Sequence, residues 1–219
     1  MAVLRIVFLI FFLWFKFCFG QQNDSIFYKN QFGLSISKIF RSTVRDKPLK
    51  LEAAYKRFID IKNYFQLSGG YENDKVGFYN NTTTITTYKG GFLRLGKFKS
   101  FSPKLFKKKR YNLFNLGINL FGNYYNQYSK IKPDGYYVNS VYIYKNLSDY
   151  NIGTELELTI KLMESANKRI SLETTQRIGY LIKRPLLYYY VDYLPGYSYY
   201  NHGRITLSGL NLILYYRFN

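Results

Sequence analysis

Apolar side chains recur at every second position through much of the chain, the period of a strand whose two faces meet different surroundings. The clearest run is Ile152, Thr154, Leu156, Leu158, Ile160 and Leu162, interleaved with Gly153, Glu155, Glu157, Thr159 and Lys161. Beyond the short polar connection Glu164 to Lys168, Ile170, Leu172, Ile178, Tyr180 and Ile182 alternate with Ser171, Glu173, Thr175, Arg177 and Gly179. Six weaker segments follow the same rule. Three are carried by Phe32, Leu34 and Ile36, by Leu49, Leu51, Ala53 and Tyr55, and by Phe65, Leu67 and Tyr71. The others cover residues 83–98, 111–126 and 204–218. In the last, Leu210, Leu212, Leu214, Tyr216 and Phe218 keep phase while Leu207 and Ile213 break it, which requires a bulge or a partly apolar interior.

The pattern predicts an all-β protein: an antiparallel up-and-down transmembrane β-barrel of about eight strands. Ten strands stay open, because Tyr136 to Leu147 is also β-rich and either extends strands or adds a hairpin. The connections alternate in length as a barrel's two rims require. Asp60–Asn63 and Glu164–Lys168 are short, whereas Arg41–Pro48, Asn73–Asn81, Gln127–Asp149 and Pro185–Gly203 are long. Phe98–Arg110 is the misfit, a long basic stretch where a short turn is due. After residue 20 no run of about 18 apolar residues occurs. Only helices and closed barrels satisfy every backbone hydrogen bond in lipid, so a membrane protein with this pattern must close. The rival is a soluble exported lipid-binding barrel, whose apolar face would point inward.

The first 20 residues read as a cleaved signal peptide, leaving 21–219 as the barrel domain. A basic start at Arg5, an apolar run from Ile6 to Phe15 and cleavage after Gly20 fit that pattern, with Cys18 and Gly20 as the small residues before the site. Lys16 interrupts the apolar run too early for an anchor helix, and Lys16 and Phe17 replace the small residues expected before a lipoprotein cysteine. Cys18 is the single cysteine, so the remainder holds no disulfide.

Composition narrows the partners. The chain has 32 basic and 13 acidic residues, a formal charge of +19, of which the first 20 residues hold Arg5 and Lys16 and no acid. Such charge favours polyanions. Export removes nucleic acid from consideration and leaves outer-membrane lipid and lipopolysaccharide. Aromatic residues make up 21% of the chain and 25 of them are Tyr, a ring suited to the boundary between hydrocarbon and water.

The exported amino terminus, the alternating segments and the terminal Leu212-Ile213-Leu214-Tyr215-Tyr216-Arg217-Phe218-Asn219 resemble the small outer-membrane β-barrel proteins of Bacteroidetes. The resemblance spans about residues 26–219 as a style of sequence. It implies an outer-membrane location and contact with the barrel-assembly machinery, with Leu214, Tyr216 and Phe218 as the assembly signal. Asn219 departs from the family's habit of ending on the aromatic residue. The resemblance transfers no activity.

Candidate chemistry is sparse. His202 is the only histidine, in a Tyr-rich segment, 185–203, that offers a surface for an unknown ligand. A lipid A deacylase-like enzyme would need His202 with Ser198 or Ser208 and an acid, and nothing in the sequence positions them. No catalytic residue is therefore assigned. Glu155, Glu157, Lys161, Glu173 and Arg177 are expected to share the lumen as a satisfied polar network, since eight strands leave room only for side chains. Lys104, Lys107, Lys108, Lys109 and Arg110 form the densest charge run, either a solvated turn or a contact for anionic lipid. With no phosphate loop, dinucleotide fingerprint or His/Cys cluster, no cofactor or metal is expected.

Overall fold

Where one face is greasy and the other polar, the alternating segments do form strands, and the ladders continue well past the alternation. In the computed structural model, residues 28–37, 49–80, 82–101, 113–131, 143–182, 199–200, 205–208 and 210–219 are described. The strands are β1 (Asn30–Ser35), β2 (Lys50–Phe58), β3 (Asn63–Asn80), β4 (Thr82–Phe101), β5 (Phe114–Ile131), β6 (Ile143–Glu164), β7 (Ile170–Leu181), β8 (Tyr199–Tyr200), β9 (Ile205–Leu207) and β10 (Asn211–Phe218). From β1 to β7 each strand pairs antiparallel with the next. Both β9 and β10 pair with β7, and β10 closes on β1, from Asn30 opposite Phe218 to Ser35 opposite Ile213. Nine of the ten strands thus make a closed barrel of eight staves, β9 and β10 sharing the last one. The two-residue β8 pairs with β9 alone.

The break between β9 and β10 is a bulge. Thr175 faces Asn211 and Ile178 faces Leu207, so three steps along β7 match four along the last stave. Ser208 fills the gap: its Oγ accepts the Arg177 N–H at 2.7 Å, and its own N–H donates to the Arg177 carbonyl at 2.9 Å. The extra residue flips the phase, so Leu207 and Leu210 both point outward while Ile213 is fully buried inside. Both readings of the broken alternation hold at once.

Two expected loops are strand instead. Asn73–Asn80 belongs to β3, and β4 restarts at Thr82. Gln127–Ile131 extends β5 and Ile143–Asp149 extends β6, so the β-rich stretch before Leu147 lengthens a stave rather than adding one. β6 has 22 residues, about twice the 9–11 that cross a hydrocarbon core. These extensions show no steady hydrophobic period in the sequence, yet their backbone pairing continues. The basic stretch is also displaced: β4 reaches Phe101, so residues 102–113 connect β4 to β5 on the rim that carries Asn30 and Phe218. The other connections of this terminal rim, Ile59–Lys62 and Ser165–Arg169, are the short ones.

The lumen is filled by pairing large side chains with none. A Cβ on Gly33 would meet the Tyr215 ring at 2.5 Å, one on Gly70 the Phe92 ring at 2.7 Å, and one on Gly117 the Phe98 ring at 2.2 Å. Each glycine lies opposite that aromatic residue on the neighbouring strand. The rings therefore lie flat against bare backbone, which lets a narrow barrel hold aromatic residues inside. Gly117→Ala should overpack this contact and cost about 1–3 kcal/mol, read as a lower urea midpoint of the refolded protein. Gly91→Ala is the control, because its Cβ would meet no atom closer than 3.5 Å.

Candidate functional site

The inward positions of the middle staves converge on a buried ionic network. Glu52 on β2, Arg94 on β4, Glu155 and Glu157 on β6 and Arg177 on β7 reach across the lumen to one another. Arg94 Nε donates to both oxygens of Glu155, at 3.1 and 2.8 Å, and its Nη1 lies 3.5 Å from Glu52 Oε1. Arg177 donates through Nη2 to Glu52 and through Nε to Glu157, both at 2.8 Å. Asn119 and Gln66 donate to Glu157 at 3.0 and 3.3 Å, and Asn211 donates to Glu52 at 3.2 Å. All these side chains are essentially inaccessible, so their charges stand only because each meets opposite charge and hydrogen-bond donors.

Aromatic layers bound the network above and below. Toward the terminal rim, Tyr64 stacks on Phe98 at 4.9 Å and meets Phe58 at 4.8 Å. Lys56 Nζ sits 4.0 Å from the Tyr215 ring centre while pairing with Glu173 at 2.5 Å. On the other side Phe92, Phe121, Tyr125 and Leu181 cluster, and the Arg94 guanidinium lies 4.3 Å from the Phe92 ring centre and 5.1 Å from that of Phe121. Such an arrangement can hold a rigid, desolvated core, with its carboxylates facing cations.

Of the five lumen residues expected from the sequence, Glu155, Glu157, Glu173 and Arg177 lie in this interior. Lys161 lies nearer the terminal rim, where Glu164 pairs with it at 3.2 Å and also with Arg217. Sequence reasoning did not single out Glu52, Lys56 or Arg94. Their polar phase within β2 and β4 was the available signal, but partners on distant staves meet only through closure. Ser208 is committed to the bulge through its bonds with Arg177, while Ser198 and His202 lie outside the described residues. So do residues 1–20, the Lys104–Arg110 run and most of the Tyr-rich segment, apart from Tyr199 and Tyr200 in β8. Among the described residues no group of His, Cys, Asp or Glu could hold a metal ion.

Outside, the polarity reverses. Leu34, Leu67, Leu95, Ile118, Leu156 and Ile178 are exposed on different staves, as a continuous apolar belt. Phe65, Phe101, Tyr216 and Phe218 ring its terminal side, and Tyr71, Tyr124, Tyr150 and Tyr180 the opposite side. The apolar face points outward, the inverse of a soluble lipid-binding barrel. Leu214, Tyr216 and Phe218 all lie on this outward phase of β10.

No family model matches the chain, and no curated protein matches it. Among solved structures it is similar to Neisserial surface protein A, at 6% sequence identity and a TM-score of 0.37, over 86% of this chain and 94% of that one. The barrel is established by its own strand pairing, not by that likeness.

Removing one partner from the lumen network should be costly. Arg177→Met removes the cation that donates to both Glu52 and Glu157 and leaves Glu52 the longer Arg94 contact, which should destabilise the barrel by about 3–5 kcal/mol. Adding Glu157→Leu should recover part of that loss in the same urea titration. Outside the belt, Asp60 shapes the β2–β3 turn, accepting the Asn63 side chain at 2.8 Å and the backbone N–H groups of Lys62 and Asn63 at 2.6 and 2.8 Å. The Asn63 side chain, then these backbone donors, hold its carboxyl below the usual Asp value. That contribution is present above the unfolded Asp pKa and lost as pH falls through the lowered folded value. Asp60→Ala should remove this acid-side dependence, and a carboxyl-carbon NMR titration of the native protein should show the depressed value directly.

Proposed function

We propose that this protein is an integral β-barrel of a bacterial outer membrane, of the kind found in Bacteroidetes, with a non-enzymatic structural or surface-interaction role. The observation that carries the reading is the orientation of its two faces: leucine and isoleucine outward between two rings of aromatic residues, glutamate and arginine inward. A belt of this kind is stable only in hydrocarbon, and aromatic rings at its margins fit the two head-group regions. The packed lumen supports a plug rather than a channel, because the ion-paired side chains leave nothing for a solute to displace cheaply. The outward aromatic residues Tyr216 and Phe218 on the closing stave support recognition by the barrel-assembly machinery.

Short connections mark the periplasmic rim of such barrels. On that reading the basic 102–113 connection, like both ends of the barrel, is periplasmic. Contact between Lys104–Arg110 and lipopolysaccharide in the outer leaflet is then disfavoured. The long β3–β6 wall extends on the opposite, external side; the Tyr-rich sequence 185–203 offers a surface for an unidentified ligand.

Fractionation should recover the protein with outer membranes, and the unboiled protein should migrate faster on a gel than the boiled one. Recovery as a folded, monodisperse protein in detergent-free buffer would overturn the membrane reading. In planar bilayers the inserted protein should give no sustained conductance. Steady single-channel currents would instead argue for a transport role.

A further inference from the structure

The lumen takes up acid out of proportion to the sequence. Glu52, Glu72, Asp149, Glu155, Glu157 and Glu173 are buried, against Lys50, Lys56, Arg94, Arg177 and Arg217. Taking these six and five from the 13 acidic and 32 basic residues leaves 7 acidic and 27 basic residues for everything else. These buried charges sum to −1, so they contribute nothing to the positive balance of the chain.

The exposed charge of the described residues is placed unevenly. Among residues whose side chains are described, the exposed cations are Lys29, Arg57, Lys62, Lys89, Lys97, Lys99 and Arg169. All but Lys89 lie at or near the terminal rim. Lys97 and Lys99 are on the outward phase of β4, level with Phe65 and Asn63 of β3, and make no ion pair among the described residues. Arg57 and Arg169 meet only neutral partners, the Asn30 amide oxygen and the Tyr28 hydroxyl. Among the described residues the two nearby acids are occupied. Asp60 is held by Asn63 and the turn backbone, and Glu164 by Lys161 and Arg217.

Resting on the membrane reading above, we propose that this collar binds the phosphates of anionic phospholipids in the leaflet that meets the terminal rim. Lysine suits the task at this depth: its four-carbon stem lies along the apolar belt while the ammonium reaches down to the head groups. Arg57, Lys62 and Arg169 come from two different hairpin turns or their flanks, so the cations are spread round the rim rather than stacked on one stave. A spread collar selects a charged lipid surface, not one soluble phosphate. The contact anchors the barrel vertically and favours phosphatidylglycerol-like lipids over zwitterionic ones next to the wall.

The test uses the purified protein, folded into vesicles of phosphatidylcholine with a minority of phosphatidylglycerol and checked for closure by its heat-shifted gel mobility. Spin-labelled phosphatidylglycerol and phosphatidylcholine then report which lipid is enriched at the protein surface. Phosphatidylglycerol should be enriched several-fold at low salt, and high salt should abolish most of the preference. Lys97→Gln with Lys99→Gln and Arg169→Gln should bring the several-fold preference close to parity, whereas Lys89→Gln on the far side of the belt should leave it intact. An inserted barrel with no preference, or a preference the triple variant retains, overturns the collar while the membrane reading stands. Failure to insert into either lipid overturns both. Should the triple variant not fold, the salt dependence of the unaltered protein decides alone: a preference indifferent to salt rejects the proposal.

Discussion

Everything in this structure depends on the ladder between β1 and β10. Six residues at one end of the barrel pair with six at the other, Asn30–Ser35 against Ile213–Phe218, and so remove the two free edges that a sheet of seven other junctions would present. In hydrocarbon an unpaired strand edge exposes N–H and C=O groups that water cannot satisfy, each at a cost of several kcal/mol. Closure is thus the condition for burying the wall in lipid at all. It also fixes the circumference, and with eight staves the enclosed space is only wide enough for side chains.

The contents of that space follow from the limit. Rings are admitted where the facing residue is glycine, as Tyr215 lies on Gly33 and Phe98 on Gly117. Charges are admitted where opposite charge arrives from another stave, as Glu52 receives Arg177 from the far wall. The two devices interlock at Arg94, whose guanidinium pairs with Glu155 while lying close to the faces of Phe92 and Phe121. Among the described residues most acids are buried and the exposed charges are mostly cations, so inner packing and outer electrostatics become one problem. A charge moved between the faces would disturb both.

The wall is uneven in height. β1, β2 and β7 end at or soon after the apolar belt, while β3 to β6 continue as a four-stranded sheet. Those continuations pair with one another along the backbone. The terminal rim is the opposite case, with the β2–β3 turn pinned by Asp60 and the β6–β7 turn tightened by Lys168 in a left-handed conformation at φ 56°. Short turns and a basic collar lie at one end, and an extended sheet at the other.

The sequence by itself determined the strand class, the number of staves to within one hairpin and the face on which each residue of the central segments lies. Period two is a local property: Leu156 and Glu157 must point apart in any strand. It also foretold trouble near Leu207 and Ile213, because a phase error is visible without a structure. What it could not determine was length and partnership. The outer parts of β3 to β6 carry no steady period of two in their sequence, and so they read as loops. Arg94 meeting Glu155, or Lys56 meeting Glu173 across 117 positions of sequence, depends on register, closure and shear, which are settled only when all eight staves are in place. A strand's own residues say which way each side chain points; only the closed barrel says what it will find there.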